Sequence, residues 1–105
     1  MVHKAYYYNS HTLLEQLAYA GVLNDKVALL SEEYKGTCLH LDFNDEFRDL
    51  ICSTGSSGEY IIMGSLVNTF LVNYSDVAES IFITVNGEIL ESGHVIYDFE
   101  LSKYE

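Results

Sequence analysis

The sequence predicts a small α+β domain. Two helices pack on one face of a mostly antiparallel sheet, in the order helix–strand–strand–helix–strand, with short strands at both termini. Three observations carry this reading. Between residues 55 and 87 an apolar helical stripe is followed by a β-branched strand and a tight turn. Two further stretches alternate apolar and polar residues with a period of two. The chain has 105 residues, 49% of them hydrophobic, which suits one domain, residues 1–105, with a modest core.

The segment from Gly55 to Gly87 organises the rest. Ser56-Ser57-Gly58-Glu59 has the spacing of a capping box, with Ser56 as the N-cap and Glu59 reaching back to it. Ile62, Met63, Leu66, Val67, Phe70 and Leu71 then recur at three- and four-residue steps, so they share one helical face. Asn73 and Ser75 are exit residues. Ser80 to Val85 is a strand apolar on both faces, which favours a central position. Asn86-Gly87 suits a type I′ turn, because both central residues of that turn need positive φ. Glu88 to Leu90 then folds back as a short partner strand.

Val2 to Tyr8 reads as an N-terminal strand. Thr12-Leu13-Leu14-Glu15 is a second capping box, opening a helix that runs through Ala20, with Gly21 as its C′ residue. Val27 to Ser31 and Thr37 to Phe43 read as two strands joined by a loop over Glu32 to Gly36. In the second, Leu39, Leu41 and Phe43 alternate with Cys38, His40 and Asp42. Arg48 to Thr54 reads as loop. His94 to Leu101 alternates again and reads as an edge strand, and Ser102 to Glu105 as a frayed tail. No repeat, low-complexity tract or proline marks an internal boundary.

Charge narrows the function classes. Sixteen acids against five bases give a net charge of −11. Lys4, Lys26, Lys35, Arg48 and Lys103 are dispersed, so no basic surface is available to neutralise phosphates, and nucleic acid is excluded as a partner. Gly55-Ser56-Ser57-Gly58 fits the literal G-x-x-G of a nucleic-acid-clamping loop but carries no Lys or Arg. No apolar run approaches the roughly 20 residues of a membrane span. Met1-Val2-His3-Lys4 leads into tyrosines rather than an apolar signal core, so membrane association is expected only through an anchor outside these residues.

No catalytic or cofactor constellation emerges. Cys38, His40 and Asp42 share a strand face, but alternate residues lie roughly 6.5–7 Å apart and no second cluster completes a metal site. They read as a polar sheet face. Cys52 with His40 or His94 is a formal Cys/His pair with nothing nearby to activate a thiol. Cys38 and Cys52 allow one disulfide and establish none. No metal or cofactor is expected, and the chain reads as a non-enzyme. Tyrosine is the strongest interaction signal, nine residues in all, with Tyr6, Tyr7 and Tyr8 consecutive and not all able to bury on one strand face.

Several pieces then follow in a recognisable order: LHLDFNDEF (Leu39 to Phe47), GSSGE, LVNTF (Leu66 to Phe70), VAESIFITVNGEIL and Gly93-His94. Together they resemble the GerMN domain family of sporulation and spore germination proteins, over about Leu14 to Leu101. Asp42, Glu59, Asn68, Thr69, Val85, Gly87, Gly93 and His94 stand at the family's motif positions. One departure is the short segment Tyr6 to Ser10, where the family has a strand and a longer polar connection. The resemblance implies a ring-building-motif fold and a non-catalytic, extracytoplasmic, often lipid-anchored module of Gram-positive envelopes. Such a module binds protein partners or copies of itself. The alternative is a small domain that binds wall glycan or peptide through a tyrosine-rich surface.

Overall fold

The computed structural model describes residues 9–104. The expected strand over Val2 to Tyr8 lies outside the described residues. Three helices and a four-stranded sheet follow in order: α1 (Ser10–Tyr19), β1 (Leu29–Lys35), β2 (Cys38–Phe43), α2 (Asp45–Ser53), α3 (Ser56–Asn73), β3 (Ser80–Val85) and β4 (Glu88–Ile89). The fold is α+β, as the sequence predicts.

The sheet runs β1-β2-β3-β4. Its outer pairings are antiparallel, while β2 and β3 pair in parallel from Cys38↔Ser80 to Phe43↔Val85. A parallel pair needs a long crossover, and residues 44–79 supply it with α2 and α3. Leu39, Leu41, Phe43, Ile81, Ile83 and Val85 form the core face and are almost fully buried. They join Leu13 and Leu17 of α1, Phe47 and Ile51 of α2, and the apolar stripe of α3 in one cluster. Each such side chain contributes about 1.5–3 kcal/mol through burial.

Five sequence expectations need correction. Arg48 to Thr54 is helix rather than loop for all but its last residue, because Phe47 and Ile51, four residues apart, both bury fully. The loop placed over Glu32 to Gly36 is mostly strand: β1 continues to Lys35, which pairs with Cys38 across a two-residue turn containing Gly36 at φ +64°. Neither capping box forms. Asn9 caps α1, its Oδ1 accepting from the Thr12 N–H at 2.9 Å, and Gly55 precedes α3 with no side-chain cap. His94 to Leu101 forms no continuous strand: among the described residues it meets the sheet at one bridge, Ile81↔Leu101, with a second isolated bridge at Glu91↔Ile96. The tail does not fray at Tyr104, which is fastened to α3.

Two local expectations hold. Gly21, at φ +84°, follows α1, and the N–H groups of Val22 and Gly21 donate to the carbonyls of Leu17 and Ala18, a Schellman closure. Asn86 and Gly87, at φ +51° and +79°, turn β3 into β4.

Candidate functional site

The motif residues occupy different parts of the fold. Asp42, on the sheet face away from the helices, accepts from Thr84 Oγ1 at 2.6 Å and from the Gly87 N–H at 2.8 Å, so it ties β2 to the β3–β4 turn. Truncating it as Asp42→Ala is expected to cost about 2 kcal/mol in chemical denaturation, with faster amide exchange at Gly87. Asn68 pairs with the backbone of Tyr104 at 2.7 and 2.9 Å. The carbonyl of Thr69 accepts from Asn73 Nδ2. Gly93, at φ +93°, and His94 lie in a turn where Ser92 Oγ accepts from the N–H groups of His94 and Val95. Tyr6, Tyr7 and Tyr8 lie outside the described residues.

Glu59 departs most from its expected role. It is a buried carboxylate, 3% exposed, in the first turn of α3, and its Oε2 accepts from the Tyr97 hydroxyl. Its Oε1 is also buried and has no hydrogen-bond partner among the described residues. Tyr97 belongs to the C-terminal segment, which Leu90, Leu101 and Tyr104 also fasten to the body. The Tyr104 ring lies against Gly64, where a Cβ would come within 3.2 Å of it, and meets Tyr60 edge-on at 5.2 Å.

Burial raises the Tyr97 phenol well above its ordinary value near 10, and the bond to Glu59 and the charge of that carboxylate raise it further. Burial likewise raises Tyr104, Tyr74 and Tyr34. A raised folded-state value gives stability that is full below the unfolded value and lost as pH rises through it. The melting temperature is therefore expected to hold up to about pH 9 and to fall above about pH 10. The fall should be shallower in Tyr97→Phe when followed by circular dichroism.

The remaining polar candidates are dispersed. His40 packs on Phe82 with ring centroids 5.0 Å apart. Cys38 is buried and Cys52 exposed, both as free thiols, with Cys52 Sγ near the Glu91 carbonyl at 3.5 Å. Among the described residues no three His, Cys, Asp or Glu side chains gather as a metal site. No described helix is long and apolar enough to cross a membrane. A shallow concavity between α1 and the start of β1 is lined by His11, Glu15, Asn24 and Asp25 over Leu14 and Val27. None of its lining residues is a tyrosine.

The longer of the sheet's two edge strands is β1, whose outer side no other described strand covers. Every residue from Leu30 to Lys35 is exposed. On the helix side of this edge, Ser10 Oγ donates to Glu32 Oε2 at 2.6 Å and lies 3.1 Å from the Tyr74 hydroxyl. Glu33 and Lys35, beside His40 and Cys38, face the other way. A register shift between Leu29 and Ser31 bends the start of the strand. This edge escapes sequence reading because it is charged on both faces. The signals for it are Gly36 next to Thr37 and the matched lengths of the flanking segments.

These features define, over the described residues, an α+β domain with three helices and a mixed sheet whose longer edge strand, β1, is exposed. The sequence matches no protein-family model and no curated protein. The fold is similar to a crystal structure described as a "Putative Lipoprotein from Clostridium perfringens", with a TM-score of 0.71 and 16% identity over 89% of this chain. This chain spans 66% of the length of that structure, just under two thirds.

Proposed function

We propose that this chain is a non-catalytic, membrane-anchored interaction module of a Gram-positive cell envelope, of the GerMN type. The observation that carries the reading is the fold likeness to the clostridial structure over 89% of the chain. The ordered motif pieces from Leu39 to His94 add support. The net charge of −11 weighs against a nucleic-acid partner.

Affinity capture with the purified domain, run in parallel on envelope and cytosolic extracts, tests the proposal. One protein recovered stoichiometrically from the envelope fraction alone is the expected result. Recovery from cytosol alone, or from neither, would overturn it.

A second reading, binding of wall glycan or peptide, draws on one observation. Tyr60 is 58% exposed and meets Tyr104 edge-on. Aromatic faces of this kind stack on sugar rings. Co-sedimentation with purified wall glycan that is lost in Tyr60→Ala would favour this alternative over a protein partner.

A further inference from the structure

Resting on the interaction-module reading, we propose that the outer edge of β1 is a strand-addition site for a basic, extended segment of a partner protein. That segment sets adjacent Lys or Arg residues opposite Glu32 and Glu33.

The backbone supplies the first argument. In an edge strand alternate residues turn their N–H and C=O groups outward, and an added strand satisfies them. Leu30 to Lys35 is exposed along its whole length, and no other described strand pairs with this side. Leu30 and Tyr34, 51% and 46% exposed, offer apolar contact near the two ends.

Charge selects the occupant. Glu32 and Glu33 are adjacent, so their carboxylates leave the strand on opposite faces. The Glu32 and Asp76 charges both act on Tyr34, so the acidic field reaches the helix side of the edge. A second copy of this chain is a poor occupant. Antiparallel pairing centred on the strand sets Glu32 of one copy against Glu32 of the other, the next register sets Glu33 against Glu33, and like charges directly opposite are destabilising. Two bodies of net charge −11 also repel at a distance. A strand with two neighbouring cations places one on each face, opposite each carboxylate. The same charges that guard the edge against self-pairing thereby select a basic strand.

The test uses a synthetic octapeptide, Thr-Val-Thr-Lys-Lys-Val-Thr-Val, with capped ends. One control replaces both lysines by glutamate. The other is N-methylated on alternate backbone nitrogens, which removes the strand-forming N–H groups. Each is titrated into the isotope-labelled domain, following amide shifts and exchange protection. The lysine peptide is expected to protect amides between Ser31 and Lys35. Its affinity should fall about tenfold in Glu33→Lys, from the loss and reversal of one cross-strand pair, and should also fall in high salt. That variant is first shown to melt like the parent. Both control peptides should fail to bind.

Absence of lysine-peptide binding at millimolar concentration would overturn the proposal. So would shifts mapping away from β1, or equal binding by the N-methylated peptide. Envelope capture repeated with Glu33→Lys separates the two levels. Undiminished capture leaves the module reading intact and removes the edge site. Peptide binding at β1 without any envelope capture leaves the edge site and removes the module reading.

Discussion

Phe47→Ala is expected to destabilise the domain by about 3–5 kcal/mol. Phe47 is fully buried, and its ring stacks on Phe43 with centroids 4.6 Å apart. It is also the first apolar anchor of α2, which otherwise holds to the body through Ile51 and partly through Leu50. Truncation removes the transfer energy of the ring and leaves a cavity between helix and sheet that close packing cannot fill. The second contribution makes the loss larger than burial alone. Polar contacts at the start of α2 do not offset it: Asp45 accepts from Arg48 at 2.8 Å and from Asn86 at 2.5 Å, but both pairs are exposed. Urea denaturation gives the value directly. A loss under about 1 kcal/mol would mean that α2 does not pack on the sheet through Phe47.

Tyr97→Phe is expected to cost about 2–3 kcal/mol, lowering the melting temperature by roughly 10–20 °C in a domain of this size. The substitution removes a single oxygen and creates almost no cavity. Its cost lies in Glu59. The carboxylate is 3% exposed, and Tyr97 is the hydrogen-bond partner of Oε2 while Oε1 has none. Without the hydroxyl, the buried carboxylate loses the one partner that Oε2 has among the described residues. The diagnostic comparison is the double variant Glu59→Met with Tyr97→Phe. Replacing both partners by apolar groups of similar size removes the desolvation penalty, so the double variant is expected to be more stable than Tyr97→Phe alone. Additive losses, measured as a double-mutant cycle, would contradict this account of the pair.

The hydrophobic core was legible in the sequence because burial writes a period. Ile62 to Leu71 showed helix, Leu39 to Phe43 and Ser80 to Val85 showed strands, and Asn86-Gly87 showed the turn. The parts that sequence patterning does not reveal lack such a period. α2 is nine residues long and buries only Phe47 and Ile51, too few repeats to stand out. β1 beyond Leu29 is exposed on both faces, so no apolar alternation marks it.

Glu59 departs from its sequence reading for a different reason. An S-x-x-E spacing describes local chemistry, and here a distant residue competes for the carboxylate. Tyr97, 38 positions later, holds it inside the fold. The strap from Leu90 to Tyr104 has the same origin. Its anchors, Tyr97, Leu101 and Tyr104, each answer a group elsewhere in the chain: Glu59, Ile81 and Asn68. Of the motif positions, Asp42 reaches the hairpin at Gly87 across the parallel pair, a contact that needs the strand order as well as the sequence.

On the proposed reading, the outer edge of β1 in this acidic domain serves a different protein rather than a second copy of the chain. Light scattering of the purified domain over a wide concentration range tests this most directly. A molar mass that stays at one chain throughout, in low and high salt, is the expected result. Growth to dimers or larger species, with amide-exchange protection gained between Ser31 and Lys35, would place self-pairing at β1 and contradict that reading.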